Sequence, residues 1–206
     1  MQTLDIIDNS ILRILYVCRL LSLEPHDSLA DKIYDEKLLN ERIESLTKKD
    51  LISKDLRLTD KGREYLKIVL TGGVFDIIHP GHIYTLRSAK ALGDILIVII
   101  ARDSTAIKSK GKKPIHDENT RCELVNSLRF VDAAILGREG DIFKTVEYVR
   151  PNIIALGYDQ IHEERFIAEE CKKRGLNINV VRLDSPLPDL KSTKIKEVLG
   201  KSIYNF

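Results

Sequence analysis

The chain has 206 residues, of which 43% are apolar and 31% charged, and its net charge is +2. That composition suits one large or two small globular domains with a real core, and it excludes a disordered or fibrous chain. The charge is too small to advertise a polyanionic partner, whether nucleic acid or an anionic membrane.

Residues 1–66 differ in character from the rest of the chain. Ile7, Ile11, Ile14, Cys18 and Leu21 recur on one face of a first helix, and Pro25 is expected to end that region. Ser28 to Tyr34 predicts a short second helix. Asp35 is placed to cap a third, which carries Leu39, Ile43 and Leu46 at helical spacing. Leu51 to Thr59 alternates like a small hairpin, and Asp60 to Leu66 returns to helix. Three helices, a wing and a closing helix resemble a winged helix-turn-helix. The charges argue against the DNA binding which that resemblance invites. Residues 1–66 hold 11 Lys and Arg against 13 Asp and Glu, and Asp35 to Lys49 balances four acids with four bases. A neutral reading helix neutralises few phosphates. A packing or dimerisation module is the alternative role, and a homodimer would bring Lys48, Lys49, Lys54 and Arg57 of two wings together.

From Lys67 onward, short apolar runs alternate with amphipathic stretches. The runs are Ile68–Leu70, Ile95–Ala101, Ala133–Leu136, Ile153–Leu156 and Ile178–Leu183, with helices expected over 80–91, 117–128, 141–149, 163–174 and 192–199. The run from Ile95 to Ile100 has no polar alternation, as a strand covered on both faces requires. The expected fold class is therefore α/β. A doubly wound, Rossmann-like parallel sheet over 67–206 is preceded by a small winged helix-turn-helix domain over 1–66. Cys18, Cys122 and Cys171 are odd in number and far apart, which argues for a reducing compartment. No apolar run approaches the roughly 20 residues of a membrane span. Asp5 and Asp8 stand where a signal peptide would be basic, so a cytoplasmic protein with no membrane partner is expected.

The second part is organised around residues 68–82, Ile-Val-Leu-Thr-Gly-Gly-Val-Phe-Asp-Ile-Ile-His-Pro-Gly-His. An apolar strand meets two glycines that permit a sharp turn, and Pro80 suits the first turn of a helix. His79 and His82 thus fall where a strand hands over to a helix N-terminus, whose N–H groups and partial positive charge favour phosphate. The string resembles the signature of the cytidylyltransferase-like nucleotidyltransferases, whose His-x-Gly-His (HxGH) motif holds nucleotide phosphates.

Other unusual residues also fall at the carboxyl ends of strands, where ligands gather in such sheets. Ala101-Arg102-Asp103 follows the second run. Lys108-Ser109-Lys110-Gly111-Lys112-Lys113-Pro114 then reads either as a solvated loop or as a mobile cationic flap in which Lys110 and Lys113 clamp a triphosphate. Arg121 reads as a surface residue or a nucleotide contact. Gly157-Tyr158-Asp159-Gln160 is an ordinary turn or a grip for base and sugar. Ser192 and Thr193 begin the last helix, as a cap or an anion site.

In this order the motifs resemble those of the archaeal FAD synthases, over residues 67–200. Polyol-phosphate cytidylyltransferases share the fold but usually carry Arg-Thr/Ser-x-Gly-Ile-Ser-Thr before the last helix, where this chain has Leu187 to Lys194 with neither arginine nor glycine. The resemblance implies an FMN adenylyltransferase that takes ATP and FMN, assisted by Mg²⁺ or another divalent cation. It implies His79, His82, Lys110 and Lys113 as catalytic residues. It places nucleotide at Gly72, Gly73, Val74, Phe75, His79, His82, Arg121, Gly157, Tyr158, Asp159, Gln160, Ser192 and Thr193, and acceptor at Asp76, Arg102 and Asp103. The alternatives are a cytidylyltransferase taking CTP and glycerol phosphate or another polyol phosphate, and a DNA-binding regulator that senses nucleotide or flavin. The absence of a Walker string and of Gly-x-Gly-x-x-Gly disfavours an NTPase or a dehydrogenase.

Overall fold

The computed structural model describes residues 4–203 except 34, 159, 161, 162, 188, 190 and 191, without the side chains of 110, 193 and 199–203. It divides into two compact units after Lys67.

The first unit holds α1 (Ile6–Leu21), α2 (Pro25–Ala30), α3 (Glu36–Lys48) and α4 (Asp60–Arg63). Asp5 caps α1 by accepting from the Asp8 amide, and Asp35 caps α3 by accepting from that of Leu38. Ile11, Leu12, Leu15, Tyr16, Leu29, Leu46 and Leu51 bury its core. Two expectations need correction. Pro25 does not end a helical region: α1 stops earlier, at Ser22 in the left-handed conformation, and Pro25 opens α2. The hairpin over 51–59 reduces to one antiparallel bridge, Ile52 with Leu58. The Ser53 amide donates to Arg57 at 2.8 Å and Leu56 takes φ 53°, so the turn begins one residue after the bridge.

In the second unit the order is β1 (Ile68–Gly73), α5 (Pro80–Lys90), β2 (Ile95–Ile100), α6 (Asp103–Lys110), α7 (Glu118–Asn126), β3 (Ala133–Leu136), α8 (Ile142–Val149), β4 (Ile153–Leu156), α9 (Glu164–Lys173), β5 (Asn179–Arg182) and α10 (Ser192–Ile203). All five strands are parallel, in the order β3-β2-β1-β4-β5. The chain winds outward from β1 through β2 to β3, then crosses back to β4 and β5. Strand order therefore reverses between β1 and β4, and the crevice at their carboxyl ends is where such sheets bind ligands. Val69, Leu96, Val98, Ile100 and Ala155 are fully buried, which explains why β2 shows no polar alternation. The expected lysine loop is a correction too. Lys108 to Lys110 finish α6, and Gly111, at φ 68°, caps it. Among the described residues no helix is long and apolar enough to cross a membrane.

Candidate active site

β1 delivers the chain into a turn that only particular residues allow. A Cβ on Gly72 would lie 3.3 Å from the Ile99 carbonyl, and one on Gly73 would lie 2.9 Å from the Phe75 ring. Phe75 itself takes φ 50°, an uncommon conformation for a bulky residue. Its ring folds back over Gly73 and stands 5.1 Å from that of His82. His79 holds the N-cap position of α5 in extended conformation without capping it through the side chain, and Pro80 opens the first turn. The two imidazoles stack, with ring centres 3.8 Å apart and planes at 25°. His79 is buried, His82 half-buried. A pair of rings is thus held at a helix N-terminus, at the strand-order reversal.

Around that pair, buried polar groups fix the loops. Asp76 is 4% exposed and accepts from the amides of Ile115 and His116, both at 3.0 Å, and from the Lys196 ammonium of α10. Burial pushes its carboxyl up, but Lys196 and the two amides outweigh burial and hold it below the ordinary range. Its carbonyl oxygen contacts His116 Nδ1 at 2.8 Å. Because the folded carboxyl has a lowered pKa, its contribution to stability is complete above about pH 4, the ordinary Asp value, and is lost as acid titrates the folded group. Asp76→Asn should therefore be less stable than the parent at neutral pH, and the gap in denaturation midpoint should close in acid. A gap that stays constant down to about pH 3 would refute this account.

Arg121 is 0% exposed. Its guanidinium donates to the carbonyls of His116 (3.1 Å), Val74 (2.5 Å) and Ala101 (2.8 Å), and to the Asp103 carboxylate (2.7 Å). This corrects the surface alternative, and four of the five guanidinium N–H groups go to protein acceptors. Arg102 donates to Gly137 O and to Glu118, whose other oxygen accepts from the Asp103 amide. That amide, then Arg102, hold the Glu118 carboxyl below its usual value. Beyond β4, Gln160 Nε2 donates to Gly72 O at 2.6 Å, tying the loop to the glycine turn. Ser192 Oγ donates to Ile77 O at 3.2 Å. Gly157 is buried, Val74 and Tyr158 half-buried, Lys113 exposed. Asp159 and the side chains of Lys110 and Thr193 lie outside the described residues.

Residues 70–198 match the family model described as cytidylyltransferase-like. The chain belongs to that family. Among its relatives, the FAD synthase of Aciduliprofundum boonei is 56% identical over 115 residues, which are 56% of this chain and 76% of that protein. The FAD synthase of Thermoplasma volcanium is 47% identical over 138 residues, 65% of this chain and 96% of its own. A crystal structure described as the lipopolysaccharide core biosynthesis protein of Thermoplasma volcanium covers 58% of this chain and 98% of that one, at 49% identity and a TM-score of 0.57.

Within this cytidylyltransferase-like unit, the residues that sequence reasoning missed are braces. Arg182, at the end of β5, donates to the carbonyls of Gly157 (3.0 Å) and Gln160 (2.9 Å) and to Glu164. The arginine holds the Glu164 carboxyl down to about 2. Lys196, His116 and Glu118 act similarly on Asp76 and Asp103. An ionic residue at the carboxyl end of a last strand was the one available signal for Arg182. Among the described residues no group of three or more His, Cys, Asp or Glu could hold a metal ion.

Proposed function

We propose that the protein is an FMN adenylyltransferase, transferring AMP from ATP to the phosphate of FMN and releasing pyrophosphate. The stacked His79/His82 pair at the start of α5 carries this reading. The FAD synthases among the relatives support FMN as acceptor. The acceptor phosphate, with a second pKa of about 6, is largely dianionic at neutral pH and needs no strong base. The difficulty is bringing one anion onto the α-phosphorus of another, so catalysis is positioning and charge neutralisation. His79 and His82 would stabilise the transferring phosphoryl group together with the α5 dipole. Lys110 and Lys113 would meet the leaving pyrophosphate from the end of α6 and the residues after it. Asp76, Arg102, Asp103 and Arg121 would act by holding the loops rather than by touching substrate. Among the described residues the donor set does not fit an all-protein metal cage, so a divalent cation would be carried mainly by the substrate's phosphate oxygens and water.

Incubation with a divalent cation, ATP or CTP, and FMN or glycerol phosphate tests the reading. FAD should form from ATP and FMN. Turnover only with CTP and glycerol phosphate would replace the proposal by the cytidylyl reading. Lys113→Ala should raise the KM for ATP more than that for FMN, most strongly at low ionic strength, where screening is weak. An unchanged ATP dependence with impaired FMN use would reassign Lys113 to the acceptor.

For the first unit the charges support a role other than DNA binding. Lys48 pairs with Glu44 at 2.6 Å, and Lys49 lies 3.6 Å from Asp8, so two cations of the recognition segment already have carboxylates. Duplex DNA should show no tight, steeply salt-dependent binding in an electrophoretic shift titration; submicromolar affinity would promote the regulator reading.

A further inference from the structure

The last helix reaches into the histidine turn. Ser192 and Lys196 stand four positions apart in α10, so they share one face of it. Ser192 Oγ donates to the Ile77 carbonyl and the Lys196 ammonium to the Asp76 carboxylate, on two consecutive residues just before His79. The same carboxylate accepts from the amides of Ile115 and His116, which follow the lysine stretch 108–113. One buried carboxylate therefore joins three segments: the turn that presents His79 and His82, the chain between α6 and α7, and α10. Among the described residues, the ionisable side chains facing it are Lys196 and His116, whose Nδ1 lies 3.6 Å from Asp76 Oδ1. The Lys196 side chain is 32% exposed against 5% for Asp76. A lysine at a helix surface ordinarily keeps its ammonium in water, whereas this one meets a buried carboxylate.

We infer that Lys196 is a positioning residue for the transfer reaction: from α10 it holds the Asp76 carboxylate in place, and Asp76 fixes the backbone that sets His79 and His82 at the start of α5. This role rests on the proposed function of the histidine pair and holds for any acceptor. It needs no contact between Lys196 and substrate. Burial raises the Asp76 carboxyl, and the Lys196 hydrogen bond leads the interactions that lower it. Without the ammonium, burial is less opposed and Asp76 takes up a proton at a higher pH than in the parent. A neutral Asp76 would then hold the Ile115 and His116 amides less firmly than the carboxylate does.

In the intact protein, Lys196→Met should lower kcat more than it raises either KM. The loss should be about tenfold or more, up to the roughly 10²-fold that a misplacement of about 1 Å costs. It should deepen as pH falls, in a range where the parent is unaffected. Lys196→Arg, which keeps a cation, should recover part of the rate. Lys194→Met, at an exposed position of the same helix, should match the parent. In an Asp76→Asn background Lys196→Met should add little, because the group it acts through is already altered. An equal loss in that background, or a loss that is independent of pH and not reduced in Lys196→Arg, would overturn the inference. The ring resonances of His79 and His82 in the ligand-free protein give a readout that needs no turnover. They should shift in Lys196→Met and stay in place in Lys194→Met. Unmoved rings in Lys196→Met would overturn the positioning role whatever the reaction. Shifted rings in a protein whose parent makes no FAD would support that role and count against the FMN reading alone.

Discussion

His82→Ala should lower turnover of ATP and FMN by about 10²-fold or more, the usual cost of one preorganised group that meets charge in the transition state. The loss should fall on kcat rather than on the KM for either substrate, because the charge being met develops only as the phosphoryl group transfers. The fold should survive. His82 is half-buried, and its ring contacts with His79 and Phe75 are worth about 0.5–1.5 kcal/mol each beyond simple burial. His82→Asn, which keeps an N–H donor, should recover part of the rate. Wild-type kcat in a folded His82→Ala protein would remove the histidine pair from the mechanism.

The histidine pair was legible because it depends on local order alone. A strand, two glycines, a helix-start proline and two histidines three apart have one sensible arrangement, and β1, the turn and α5 adopt it. The parallel sheet was legible for a similar reason: uninterrupted apolar runs at regular spacing leave few topologies. Other features were hidden because they depend on partners distant in sequence. Arg121 sits in a polar-looking stretch, and nothing nearby says that Val74 O, 47 positions earlier, accepts from it. Asp76 meets Lys196 across 120 positions, and Arg182 reaches back 25 positions to Gly157. A side chain's local neighbours set its helix or strand, but its burial is set by which loops the sheet brings together. The lysine stretch misled for a different reason. Gly111 looked like a loop residue, yet a glycine after Lys110 is also how a helix ends.

Arg121 should be the most costly single position in the second unit. Replacing it by alanine removes every guanidinium donor from three carbonyls and from Asp103. The side chain is 0% exposed, so bulk water does not reach the groups it leaves behind. Breaking a buried ion pair by deleting one partner typically costs about 3–5 kcal/mol. Asp103 is 25% exposed and regains some water, so the carbonyls carry most of that cost. Against a total stability of about 5–15 kcal/mol for a domain, the loss is large enough to unfold a marginal unit. Arg121→Lys keeps the charge but offers a point ammonium in place of a planar fork, and it cannot reach acceptors on four separate residues. It should therefore stay folded, lose about 1–3 kcal/mol in denaturant unfolding, and lose turnover as well. Turnover falls because Val74 adjoins Phe75, whose ring lies against His82. Asp103→Asn, which spares the carbonyl bonds, should cost less than either. If Arg121→Lys matched the parent in both unfolding midpoint and kcat, the fork would not be what positions the histidine turn.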